Sequence, residues 1–452
     1  MLFLEKAVDQ KDVRGCARVA RKIPSYRRRL TAEFLFKAIR TLYKNSGDVQ
    51  TRLAQWLGPV GSSEGELKDS EGAGVPSPEV EVLGHLLVVI WLIDNERHAD
   101  AVTASTALLA HLETLNRRTM DGFGAQAYFY FARAHELSGT FGTIRSKLLA
   151  LYKTSTLRHD TAGQAVLLNL ILRNYLMDGQ YDQADKVVSK TTFPEDASNS
   201  QQARNFYYVG RIKAIQLDYQ NAYRCLVQAM RKAPTRTAKG FRLTVQKLTC
   251  VVQLLLGEVP VRTVFFSEFG AALQPYFFLA KAVRVGDLAA FHGVVSEYKA
   301  NFLADGTLSL VQRLRTDVIK TGLRMINKSY SHISLEDVRA KLHLDSVDDA
   351  QSIVAKAIRD GVIRAVVSHE TATVRSLENA DVYSTEEPQG AFHKRINFCM
   401  QIYNESLKSM RFPETNSAES TAEWEKRSEL FSRQFEEGID EEDLEDDDAM
   451  DM

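Results

Sequence analysis

The chain has 452 residues, of which 44% are hydrophobic and 25% charged, with a formal net charge of −1. That is material for two or three domains or one long repeat array, and it is too apolar for an unfolded chain. The charge balance excludes bulk attraction to a polyanion, yet it hides an asymmetry: residues 1–44 hold twelve Lys/Arg against four Asp/Glu, and residues 436–452 hold eleven Asp/Glu and no Lys or Arg.

In chain order, Met1-Leu2-Phe3-Leu4 is followed at once by Glu5 and Lys6, so no signal peptide is expected. Residues 1–57 read as basic helices, in which Arg27-Arg28-Arg29 is either part of a helix face or of a nuclear import signal. Residues 58–79 are rich in Gly, Ser and Pro and nearly lack large apolar side chains, which predicts a flexible insertion. Gly61-Ser62-Ser63-Glu64-Gly65 within it has the form of a nucleophile elbow, but neither the strand before it nor the helix after it is present. Leu83 to Ile93 is apolar, too short to span a bilayer, and predicts a buried helix.

From residue 80 to 326 the apolar period is 3.6, which predicts helical repeats over 80–200 and further helices over 201–326. One repeat is explicit. Tyr181-Asp182-Gln183-Ala184 aligns with Tyr219-Gln220-Asn221-Ala222, and Leu168, Ile171 and Val188 align with Phe206, Val209 and Leu226. Each unit reads as a helix, a polar turn and a second helix whose small residue permits close approach, the tetratricopeptide-like pattern. Weaker echoes stand at His98-Ala99-Asp100-Ala101 and Gly286-Asp287-Leu288. Such units stack into a solenoid because none can bury its own apolar face.

Residues 327–378 spell a winged helix. Ser334-Leu335-Glu336-Asp337 has capping-box spacing, Ser346 caps a second helix that Gly361 ends, Val362-Ile363 and Ala365-Val366-Val367 read as a strand, and Thr373-Val374-Arg375 returns as the wing. The helix that would enter a DNA groove opens Val347-Asp348-Asp349, and residues 331–376 hold six Lys/Arg against seven Asp/Glu. Phosphate contacts need the opposite charge, so the module is expected to bind protein rather than nucleic acid. Its exposed strand edge, Ala365, Val366 and Val367, is a candidate partner surface. Past a polar link, Phe392, Ile396, Cys399, Tyr403 and Met410 fall at helical spacing and form a second candidate, on a helix packing either on its own chain or on other chains. A second, charged helix is expected over Glu423 to Glu436, giving C-terminal helices over 388–436, and 437–452 is expected to be a disordered acidic tail.

No motif for catalysis, cofactor binding or metal binding emerges, so no enzyme activity and no cofactor are expected. Cys16, Cys225, Cys250 and Cys399 are scattered, which fits reduced thiols in cytoplasm or nucleus. The fold class expected is mainly α: a tetratricopeptide-like solenoid, a winged helix and C-terminal helices.

Helical repeats running into a winged helix form the architecture of the PCI-domain family, found in the proteasome lid, the signalosome and a translation initiation factor. Arg204 to Pro234 (RNFYYVGRIKAIQLDYQNAYRCLVQAMRKAP), LDSVDDAQSIVAKAIRDGVI within Tyr330 to Val367, Asp381 to Pro413, and Thr156 through Lys190 resemble a PCI subunit of the proteasome lid in particular. The resemblance covers most of 80–413 and, more loosely, Pro24 to Ile39. It implies a non-catalytic scaffold that supports ubiquitin-dependent degradation. The partners it implies are other PCI subunits of the lid, joined through winged helices and a C-terminal helix bundle, a small acidic disordered lid subunit, and the rest of the 26S proteasome, with no nucleic acid or membrane. Residues 201–378 would then be the PCI domain. A signalosome or initiation-factor scaffold, or a nucleic-acid-binding winged-helix protein, is the alternative.

Overall fold

The computed structural model describes residues 10–27, 30–42, 77–377 and 382–410 except Arg236 and Ser267, with isolated positions between 4 and 8, 51 and 57, and 426 and 430. The expected insertion up to residue 76, most of the charged second C-terminal helix and the acidic tail lie outside the described residues. The chain divides into two units, Met1–Leu377 and Glu378–Met452.

The first unit begins with α1 (Val13–Tyr26) and α2 (Ala32–Leu42) and continues through α3 (Pro78–Asp94), α4 (His98–Thr114), α5 (Asp121–Leu137), α6 (Arg145–Leu157), α7 (Thr161–Met177), α8 (Tyr181–Lys190), α9 (Asn199–Ile215), α10 (Tyr219–Lys232) and α11 (Lys239–Leu255). The short α12 (Arg262–Phe265), then α13 (Gly270–Val285), α14 (Leu288–Glu297), α15 (Lys299–Ala304), α16 (Leu308–Arg313) and α17 (Arg315–Ser329) complete the helical part. Aspartates fix many of the starts. Asp12, Asp160, Asp218 and Asp287 accept backbone N–H groups of Arg14, Gly163, Asn221 and Ala289 at 2.9, 2.9, 3.2 and 2.9 Å.

The aligned repeats become α7–α8 and α9–α10, with Ala184 and Ala222 fully buried. Small residues close the second pair: a Cβ built on Gly210 would stand 3.2 Å from the Ala222 carbonyl oxygen. The apolar run at 83–93 lies in α3, which buries eleven residues. Pro78 begins this helix and Glu79 is buried, accepting a 2.6 Å hydrogen bond from the Thr119 hydroxyl, so the last two residues expected in the insertion belong to the fold. Proline suits a first helical turn, which is why a loop-like composition ran past the boundary.

Two apolar cores meet at α9. The first runs from the N-terminal helices to Ile212, and the second from Tyr207 through the winged helix to Val374. Gly286 and Gly322 bring α17 against the α13–α14 turn: a Cβ on Gly322 would stand 2.9 Å from the Gly286 carbonyl and 2.7 Å from Leu342 Cδ2. The winged helix therefore shares its core with the preceding helices.

That module holds β1 (His332–Ser334), α18 (Leu335–Leu342), α19 (Val347–Arg359), β2 (Ala365–Ser368) and β3 (Thr373–Ser376). The sheet is antiparallel in the order β1-β3-β2, pairing Ile333 with Val374 and Val366 with Arg375. Ser334 accepts the Asp337 N–H at 3.1 Å and Ser346 that of Asp348 at 3.2 Å, as their spacing suggests. Two details differ from expectation. Val362 and Ile363 precede the strand, and β1 carries a single buried apolar residue, Ile333, too short a pattern to be legible without its partner. The second unit contains α20 (Glu387–Met410).

Candidate partner-binding surfaces

The first candidate surface is the outer edge of β2. The Leu377 N–H donates to the Arg364 carbonyl at 3.0 Å, and Val366 lies opposite Arg375. Hydrogen-bonded pairs alternate along an antiparallel ladder, so the backbone of Arg364 and Val366 faces β3 while that of Ala365 and Val367 faces the open edge. The three expected edge residues thus differ. Ala365 is buried through its side chain and Val367 is half-buried, and both expose backbone groups; Val366 is 50% exposed through its side chain and gives its backbone to the sheet. The order β1-β3-β2 leaves β1 as the other edge.

The first turn of α19 carries Asp348 and Asp349, both exposed. They complement the positive end of the helix and leave no cationic face there for a phosphate.

The second candidate surface is α20. Phe392, Ile396, Tyr403 and Met410 are 62%, 59%, 59% and 74% exposed, Cys399 is exposed, and no residue of the helix is buried. Met400 and Leu407 are exposed as well, so the apolar surface is wider than the five residues selected from spacing.

A third surface was not legible in the sequence. α5, α7, α9 and α11 together line a cavity of about 830 Å³ whose charged groups are Arg133, Arg173, Arg204, Arg211 and Glu136, with Asn169 among its neutral polar ones. Phe129, Tyr207, Tyr208 and Phe241 give it aromatic walls. Arg173 donates to Glu136 at 2.6 Å and to the Tyr208 hydroxyl at 3.5 Å. Burial pushes the Glu136 carboxyl up, but hydrogen bonds and charge from Arg173 and Arg133 outweigh it and hold the group below its ordinary value. The Arg204 guanidinium lies 5.6 Å from the Phe129 ring centroid. Asn169 is 4% exposed, and its Oδ1 has no hydrogen-bond partner among the described residues. Four arginines against one glutamate and aromatic walls suit an extended acidic peptide. These residues come from four helices, so no local motif announces them.

Among the described residues no group of three or more His, Cys, Asp or Glu is placed to hold a metal ion, and no helix is long and apolar enough to cross a membrane.

Known proteins share this order of parts. A family model described as PSMD3-like, N-terminal TPR repeats matches residues 3–280, a PCI domain model matches 295–378, and a model of the C-terminal region of a proteasome regulatory subunit matches 381–447. The probable 26S proteasome non-ATPase regulatory subunit 3 of Drosophila melanogaster is 44% identical over 438 residues, covering 96% of this chain and 88% of that protein. The 26S proteasome non-ATPase regulatory subunit 3 of Dictyostelium discoideum is 42% identical over 432 residues, covering 92% and 86%. The probable 26S proteasome regulatory subunit rpn3 of Schizosaccharomyces pombe is 44% identical over 414 residues, covering 91% and 83%. Similarity of that extent, across repeats, PCI domain and C-terminal segment alike, means that the chain belongs to the family of 26S proteasome non-ATPase regulatory subunit 3.

Proposed function

We propose that this chain is a non-catalytic scaffold of the 26S proteasome regulatory-particle lid, acting in cytoplasm and nucleus and supporting ubiquitin-dependent degradation by holding other subunits in place. The observation that carries this reading is α20, a 24-residue helix with an apolar stripe and no buried residue. A helix of that kind is completed by other chains. The open backbone of Ala365 and Val367 serves a neighbouring PCI subunit by strand addition, with Val366 contributing apolar contact. The arginine-lined cavity takes the small acidic disordered lid subunit. Residues 80–200 act as helical repeats, 201–378 as the PCI domain with its winged helix from 327, and the C-terminal helices as the bundle element.

The test is the double variant Phe392→Ala with Ile396→Ala. Each large apolar side chain removed from water contributes roughly 1.5–3 kcal/mol, so losing two such anchors weakens assembly by about two to four decades. The expected result is a free chain with an unchanged melting temperature that no longer co-purifies with lid subunits. Normal incorporation of the variant overturns the bundle assignment.

A further inference from the structure

α1 has two unlike faces. Cys16, Ala20 and Ile23 are buried, and Ala20 lies beside Gly122 at the start of α5, 3.4 Å from where a Cβ would stand. The helix is therefore fixed by its inner side. Its outer side carries Arg14, Arg18, Arg21 and Lys22, all exposed, and exposed Lys11 precedes them. At 1.5 Å per residue the four helical cations, Arg14 to Lys22, form a row of about 12 Å, and Lys11 stands just before it. No acidic residue occurs between Val13 and Ala32. Asp12, at the margin of the row, uses its carboxylate to accept the Arg14 N–H. Among the described residues none of the five cations has an ion-pair partner, whereas nearby Arg27 is held by Asp94 and Arg97 by Asp100.

This arrangement works against the free chain. Arg14 with Arg18 and Arg18 with Lys22 are like charges at i,i+4, which repel on a helix surface, and Arg14 sits at the positive end of the helix dipole. An anionic partner relieves both penalties. We infer that the outer face of α1 is a docking surface for a carboxylate-rich segment of another protein chain, an inference that rests on the assembly role proposed above. A protein is favoured over nucleic acid because the row is one helix wide and the chain's net charge of −1 provides no broad field to gather a polyanion.

The experiment uses the full chain, free and within particles purified through a tag on it. Lys11 stands just before the row and Lys22 ends it, so their acylation by an amine-reactive reagent reports whether it is covered. The expected result is at least fivefold protection in the particle, with zero-length carbodiimide coupling joining one of these lysines to an Asp or Glu of another chain. Equal acylation in both states overturns the inference alone, and absence of the chain from any particle overturns the assembly role as well. Nuclease treatment that restores full reactivity also overturns it, because the occupant is then nucleic acid. The triple variant Arg14→Glu, Arg18→Glu, Arg21→Glu is expected to lose the protection while keeping the thermal unfolding of the free chain, and the corresponding Arg→Lys triple is expected to retain it. Retained protection in the charge-reversed chain would also overturn the inference.

Discussion

Asp121 opens α5 next to Asp160, the cap of α7, and burial followed by the Asp160 charge pushes its carboxyl up to about 6, against the opposing charges of Arg118 and Arg158. A carboxyl whose folded value lies above its ordinary one near 3.8 gives stability that is complete at low pH and lost as pH rises through about 6. Asp121→Asn removes that dependence. The variant is expected to gain about 1–2 kcal/mol at pH 7.5 relative to the parent, and to gain little at pH 4, allowing for solvent screening at a partly exposed site. Thermal unfolding of both chains at pH 4, 6 and 7.5 decides the matter, and an equal difference at all three values would exclude this cause. A second strained position is Leu217, at φ 79° and 62% exposed. It lies two residues past the end of α9, where Gly139, Gly179 and Gly257 stand past α5, α7 and α11 at φ 76°, 70° and 88°. A left-handed leucine is disfavoured by its Cβ, so Leu217→Gly should stabilise the chain by ~0.5–1 kcal/mol, the gain being reduced by the freer unfolded backbone. A lower melting temperature would mean that the leucine contacts outweigh the strain.

Among the elements, the wing separates two roles of backbone. Val366 donates within the sheet, so proline there would damage the module itself, whereas the Val367 N–H faces outward. Val367→Pro should therefore leave the free chain folded, with helical circular dichroism unchanged, and weaken incorporation into the lid by roughly tenfold or more, as expected for a lost edge hydrogen bond in a strand addition. A variant that assembles normally would remove β2 as the docking edge. The aspartates of α19 make a related point, because a helix in the recognition position of a DNA-binding shape presents carboxylates where phosphates would lie.

Across the molecule, two cores that share α9 turn successive helix pairs into one body from the N-terminal helices to the wing, with the arginine-lined cavity in its helical part. Arg204→Glu together with Arg211→Glu reverses two of its four positive charges. A fluorescent peptide rich in Asp and Glu should then bind the full chain roughly ten- to hundredfold more weakly, since each charge-assisted contact contributes on the order of 1–2 kcal/mol. The parent's affinity should also fall with added salt. Anisotropy titration of both chains is the measurement, and unchanged affinity would place the acidic partner elsewhere.

Local features were legible in the residues alone. Helix pairs declared themselves through apolar period and the Tyr-x-x-Ala repeat, because those signals act within a few residues of where they are written. The winged helix was legible for the same reason, from Ser334, Ser346 and Gly361, and the length of the α20 stripe was legible too. Packing in three dimensions settled what depends on residues far apart in the chain. β1 exists because β3 returns beside it, and the Val366 backbone faces inward because Arg375 lies opposite. Arg133, Arg173, Arg204 and Arg211 become one surface because stacking brings α5, α7 and α9 side by side. Pairing register and stacking order are set by burial summed over whole elements, and no short stretch of residues encodes that sum.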